Sequence, residues 1–269
     1  MTSSEARAAG SPGLRGPCPF GLCDGSGFVL DEAENVARDC SCRVVRVARL
    51  RAAHLQGRIP ARYQGVSFDR APVPGLPEPV VAEVRRYVRA ISERLGEGRG
   101  LWFVGDPGTG KTTLAMLASK AALEAGHSVA IYSLPRLLNL IHTEMDHEHG
   151  LLELYDSLAS IDLLHVDDLG GHTTPWRLEQ LYSVIDARYQ ESRAVVATTN
   201  LLPDDLARQW EEGARGMREA PGGAGAEGAE QVGMRIVSRL IEICGDPLPL
   251  FGEDMRRDVR PRTGSGALS

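Results

Sequence analysis

The stretch Leu101-Trp102-Phe103-Val104-Gly105-Asp106-Pro107-Gly108-Thr109-Gly110-Lys111-Thr112-Thr113 carries four apolar residues into a glycine-punctuated loop and leaves it through Lys-Thr-Thr. The apolar tetrad reads as a short buried strand, and Lys111 to Ala125, stopped by Gly126, reads as a helix. The spacing Gly-x4-Gly-Lys-Thr is specific when it joins a strand to a helix, as it does in this chain. Gly105, Gly108 and Gly110 let the backbone curl until its N–H groups point inward at an anion, and the helix N-terminus adds its positive end. The expected ligand is ATP with Mg²⁺, cradled by Gly105, Asp106, Pro107, Gly108, Thr109, Gly110, Lys111, Thr112 and Thr113. Lys111 is expected to reach the β- and γ-phosphates, and the Thr112 hydroxyl to ligate the metal.

Outward from this loop, helical and strand patterns alternate, the signature of an α/β domain with a parallel sheet. Val80 to Leu95 reads as a helix ahead of the loop. Behind it come a strand at Ser128–Tyr132, a helix at Leu134–Met145, a strand at Ile161–Val166 and a helix at Leu178–Tyr189. A strand at Ala194–Thr199, a helix at Arg235–Ile243 and a short strand at Leu248–Phe251 complete the series. The segment Ile161-Asp162-Leu163-Leu164-His165-Val166-Asp167-Asp168 ends an apolar strand with two adjacent carboxylates. In an open α/β sheet that end faces the ligand. Asp167 is expected in the magnesium shell and Asp168 against the attacking water, although either carboxylate could simply cap the next helix. Asn200, after Val195-Val196-Ala197-Thr198-Thr199, is expected near the γ-phosphate.

Four of the five cysteines cluster as Cys18-x4-Cys23 and Cys40-x-Cys42, with 16 residues between the pairs. Two such thiol pairs suit tetrahedral structural Zn²⁺. An iron–sulfur cluster meets the same ligand count, and disulfides or free thiols are the remaining alternatives. From Arg43 to Arg62 run six arginines and no acid, which fits either a solvated helix face or a nucleic-acid or partner contact. Ala71 to Pro79 holds four prolines and reads as a linker. The expected organisation is a disordered tail at 1–16, a four-cysteine zinc module with a basic helix at 17–57 and a linker at 58–79. A P-loop ATPase domain at 80–252 and a tail at 253–269 follow. The Gly/Ala/Glu-rich stretch 213–233 is expected to be a disordered insertion.

The net charge of −6 argues against coating duplex DNA by bulk charge. No run of 18 apolar residues occurs, so no membrane span is expected, and the cytoplasm is the expected compartment. His142, His147 and His149, beside Glu144, Asp146 and Glu148, read as a polar loop. Cys244 reads as a core thiol, and Trp102, Trp176 and Trp210 as packing residues.

Together these pieces resemble the AAA+ ATPases, and within them the DnaC/IstB-like group that includes bacterial helicase loaders. The resemblance rests on Ile59-Pro60-Ala61-Arg62-Tyr63 with Phe68-Asp69, on the loop itself, on His165-Val166-Asp167-Asp168-Leu169-Gly170 and on Asp186-Ala187-Arg188-Tyr189. It continues through Ala197-Thr198-Thr199-Asn200-Leu201 and Val237-Ser238-Arg239-Leu240. It implies a sheet in which the acid-bearing strand lies between the P-loop strand and its neighbours, and a homo-oligomeric ring or spiral. It also implies that Arg239 reaches into a neighbouring subunit's site. The function it implies is ATP-driven loading of a replicative DNA helicase, with single-stranded DNA as a second partner. A transposition helper ATPase of the IstB kind and, from another class, a small-molecule P-loop kinase are the competing expectations. A nucleotide-dependent adaptor that hydrolyses poorly is a further one.

Overall fold

The computed structural model describes Cys18 and residues 21–31, 36–43, 55, 58–145, 150–171, 174–218 and 231–255. The expected tail at 1–16, most of the basic helix, His147 and His149 lie outside the described residues. In chain order, an antiparallel hairpin of β1 (Phe28–Asp31) and β2 (Val36–Asp39) comes first. Then follow α1 (Glu78–Arg89), α2 (Ile91–Gly96), β3 (Leu101–Gly105), α3 (Lys111–Glu124), β4 (Val129–Ser133), α4 (Leu134–Glu144) and α5 (Gly150–Ser160). The series ends with β5 (Leu163–Leu169), α6 (Pro175–Gln190), β6 (Ala194–Thr199), α7 (Pro203–Arg218), α8 (Val232–Cys244) and β7 (Leu248–Leu250).

The main sheet has the order β4-β5-β6-β3-β7 and every pairing in it is parallel. Helices cover both faces, so its strands are apolar along their length and successive side chains feed two separate cores. Leu101 and Phe103 of β3, with Val196 of β6, pack under α1, α2 and α3. Trp102, Val104, Val195 and Ala197 join the opposite core with α4 to α8. The same alternation along β5 aims Leu163, His165 and Asp167 at the α3 side, which brings Asp167 to the start of α3.

Four sequence expectations change. The acid-bearing strand β5 does not adjoin the P-loop strand; β6 lies between them. The strand that leads into Asn200 therefore lies between the glycine-loop strand and the acid-bearing strand. The helix expected over Val80–Leu95 is two, because Ala90 takes φ −106° and ψ 25° and breaks the ladder. The acid pair lies inside β5 rather than after it, where a register shift between Val166 and Leu169 accompanies a left-handed Asp168 (φ 61°). Finally, the stretch expected as a disordered insertion begins and ends in helix, α7 reaching Arg218 and α8 starting at Val232. Leu206, Ala207 and Trp210 are buried at helical spacing, and α7 docks through them on α8. Residues 219–230 lie outside the described part.

Arg188 is fully buried and binds three carbonyls, Leu158 O, Asp162 O and Ala194 O, joining α5, the entry to β5 and the start of β6. Burial pulls its guanidinium down to about 9, so it stays charged at neutral pH and holds all three acceptors. Among the described residues no helix is long and apolar enough to cross a membrane.

Candidate nucleotide-binding site

The glycine loop turns out of β3 and closes at the first residue of α3, with Gly110 in a left-handed conformation at the helix N-cap. It is shaped as much from the far end of the chain as from its own residues. Asp106 N–H donates to Leu250 O (3.1 Å), Gly252 N–H to Asp106 Oδ2 (3.0 Å) and Met255 N–H to Gly108 O (3.2 Å). A Cβ on Gly108 would lie 1.8 Å from Asp254 Oδ1, and φ is +80° there. Gly108 therefore answers both a turn and a close approach. Thr109 closes the loop internally, donating to Asp106 O (2.8 Å), and the Lys111 ammonium donates to Gly105 O (2.9 Å) and Asp106 O (2.6 Å).

At the start of α3, Thr112 Oγ1 donates to Asp167 Oδ1 (2.9 Å), and Thr198 Oγ1 donates to the same oxygen (2.7 Å). Thr198 also accepts the Asp168 N–H (2.8 Å), so one buried hydroxyl fixes both acids. Burial opposes ionisation of Asp167, but the neighbouring His165 and the Thr198 and Thr112 hydroxyls outweigh it and hold the carboxyl below its ordinary value. The His165 Nε2 stands 4.0 Å from Asp167 Oδ1, too far for a hydrogen bond, while its Nδ1 pairs with Ser119 Oγ (2.9 Å). The two threonine hydroxyls are thus the direct partners of the carboxylate. Thr112 and Asp167 are adjacent oxygen donors of the kind a hard Mg²⁺ takes.

These groups line a cleft of about 910 Å³. Lys111, Thr112, Thr113, Asp167, Asp168, Thr198 and Asn200 form one wall, and Arg62, Tyr63, Val66, Arg70, Pro72 and Met255 another. The size suits a nucleotide. Of the expected residues, the P-loop, both acids and Asn200 come together. Arg239 does not line the cleft. Its Nε meets Asp186 Oδ1 (3.0 Å), its Nη1 meets Glu242 Oε1 (3.1 Å), and its guanidinium lies 4.1 Å over the Tyr189 ring. Thr198, in the Thr198-Thr199-Asn200 run, is a further site residue, which its place in an apolar strand conceals in the sequence. The segment 58–79, expected as a linker, contributes Arg62, Tyr63, Val66, Arg70 and Pro72 to the cleft lining.

On the two sides of the hairpin, Cys18 and Cys23 before it and Cys40 and Cys42 after it, the four Sγ atoms all lie within 4.8 Å of one another. Cys18–Cys40 is 3.8 Å and Cys23–Cys42 is 3.5 Å. A tetrahedron with Zn–S bonds of about 2.3 Å has edges of about 3.8 Å, so the four thiols fit a tetrahedral metal.

The sequence profile of the IstB-like ATP binding proteins matches residues 35–213. The chain belongs to this family. The IstB-like chain is 27% identical over 181 residues to the phage-like element PBSX protein XkdC of Bacillus subtilis (strain 168), covering 63% of this chain and 66% of that protein. It is 26% identical over 176 residues to the replicative helicase loader DnaI of the same organism, covering 64% of this chain and 52% of the relative. The chain thus spans about two thirds of one relative and half of the other. In fold it matches the crystal structure of the DnaC helicase loader, with TM-score 0.53 and 22% identity, over 72% of this chain and 100% of that one. AMPPCP-bound DnaA from Aquifex aeolicus matches with TM-score 0.51 and 17% identity, over 72% and 51% respectively. The family member is therefore a P-loop protein with the AAA+ fold, carrying a four-thiol cluster ahead of it.

Proposed function

We propose that this IstB-like chain is an ATPase that loads a replicative DNA helicase onto single-stranded DNA. The ATPase reading is carried by the 2.9 Å bond between Thr112 Oγ1 and Asp167 Oδ1, which sets two magnesium donors side by side at the mouth of the glycine loop. Mg²⁺ bound there would neutralise charge on the β- and γ-phosphates. Lys111 and the loop amides bind and orient the triphosphate, and Asp168 and Asn200 hold the attacking water. Arg239, outside its own cleft, serves the site of a neighbouring copy in a ring or spiral. The small-molecule kinase reading is weaker, because the paired acids and Asn200 provide for water rather than for an organic acceptor.

The loader reading is supported by the four-thiol cluster, which holds Zn²⁺ as a structural metal and shapes a partner-binding module. The DnaI and DnaC names among the similar proteins agree with it. The second reading is a transposition helper ATPase, with which the family's ATP binding is equally consistent. The chain, the host's hexameric replicative helicase and ATP–Mg²⁺ are mixed with and without single-stranded DNA and weighed by native mass spectrometry. A complex lost on deleting residues 1–42, from a chain carrying one zinc by elemental analysis, supports the loader. No complex under either condition refutes it and leaves the transposition helper.

A further inference from the structure

We propose that Arg62 and Arg70, supplied by the segment ahead of α1, bind the phosphates of the nucleotide in the same chain's cleft. This rests on the nucleotide reading above. Both residues line the cleft with Lys111 and Thr112. Among the described residues neither guanidinium meets a carboxylate. Arg62 lies 4.8 Å over the Tyr63 ring, and Arg70 Nη1 makes a 3.4 Å contact with Gly65 O. Stacking occupies the flat face of a guanidinium and leaves its in-plane N–H donors for a bidentate acceptor such as a phosphate.

The segment is anchored to the P-loop helix rather than hung beside it. Lys120 of α3 donates to Gln64 O (3.3 Å) and Val66 O (3.1 Å). Val66, Val73 and Leu76 are buried in the core that contains Leu114 of α3. On either side of the Arg70 side chain the backbone is tied, its N–H to Ser67 O (3.4 Å) and its C=O to Val73 N–H (3.1 Å). The backbone that carries the two arginines is thus held at a fixed place relative to the glycine loop.

Charge balance gives them a task. Without them the cleft lining sets Lys111 against Asp167 and Asp168, a net negative surface for an anionic ligand. With them the lining is net positive, which favours a triphosphate that stays anionic after it has taken one Mg²⁺. The cationic wall comes from a segment that sequence reading takes for a linker.

Isothermal calorimetry with ATP, ADP and AMP tests this on the full chain, using Arg62→Ala, Arg70→Ala, the double variant and Arg70→Lys. Each alanine variant is expected to weaken ATP binding about tenfold, the double variant more. The loss should shrink from ATP to ADP to AMP, and lysine should restore part of it. Both sites are exposed, so melting temperatures should stay near that of the parent chain. Unchanged ATP affinity in the double variant overturns the inference. So does an equal loss for all three nucleotides, which would mean a misplaced wall or a contact with the base. If the parent chain binds none of the three, the nucleotide reading falls and takes this one with it. If the parent binds and Lys111→Ala does not, only the arginine assignment is at stake.

Discussion

Thr198→Val isolates the hydroxyl that joins the two acids. Valine keeps the shape and β-preference of threonine in a fully buried strand but removes both the donor to Asp167 and the acceptor for the Asp168 N–H. A bond to a carboxylate contributes about 1.5–3 kcal/mol and one to an amide about 0.5–1.5 kcal/mol. Sharing one hydroxyl, they do not add in full, so a loss of about 2–3 kcal/mol is expected. For a domain of this size that lowers the melting temperature by about 4–12 °C. The kinetic effect should be larger. Asp168 is held left-handed at φ 61° by this bond, and freeing it displaces the group assigned to the attacking water. A misplacement of about 1 Å can reduce turnover about 10²-fold. Phosphate release at saturating ATP–Mg²⁺, with calorimetric melting, measures both effects, and Thr198→Ser should restore both. Turnover of Thr198→Val within about twofold of the parent, with the melting temperature lowered, would refute the idea that this hydroxyl organises the acids.

Arg188→Met should leave the carbonyls of Leu158, Asp162 and Ala194 without their donor and reduce stability by about 3–5 kcal/mol in urea titration. A loss under about 1 kcal/mol would show that those acceptors find other partners. Gly233→Ala sets propensity against packing. Alanine is favoured in a helix by about 1 kcal/mol, yet its Cβ would stand 2.9 Å from Ala207 O and 3.3 Å from Trp210 Cβ. A net loss of about 1–2 kcal/mol is expected, and a stabilised variant would contradict the close α7–α8 contact.

The sheet and its central chemistry were legible because they are local in sequence. The glycine loop, the apolar run into Asp167-Asp168 and the Thr-Thr-Asn ending each carry their meaning within a few residues. The strand order was not legible that way, since nothing in β5 or β6 alone says which pairs with β3. α7 was hidden by its composition: its glycines and acids resemble a solvated loop until Leu206, Ala207 and Trp210 are seen docked on α8. α5 follows the histidine-rich stretch, and only Leu154 and Leu158 of its apolar residues are buried, a short signal beside so polar a neighbour. The four prolines of Ala71–Pro79 exclude a helix interior, but a run of short turns can still be buried. Val73, in the 3-10 turn Val73–Gly75, and Leu76 after it show this, packed into the same core as α3.

The bonds from Leu250, Gly252 and Met255 to the glycine loop make the site a property of the whole domain rather than of its motif. β3 is contiguous with the loop, yet its sheet partners β6 and β7 come from the far side of the sequence. A fragment ending before β7 would keep every letter of the phosphate-binding signature and lack the braces that shape it. Non-local pairing of this kind forms slowly. Nucleotide affinity therefore reports that the domain has closed from end to end, and ATP should stabilise completed chains in preference to truncated ones.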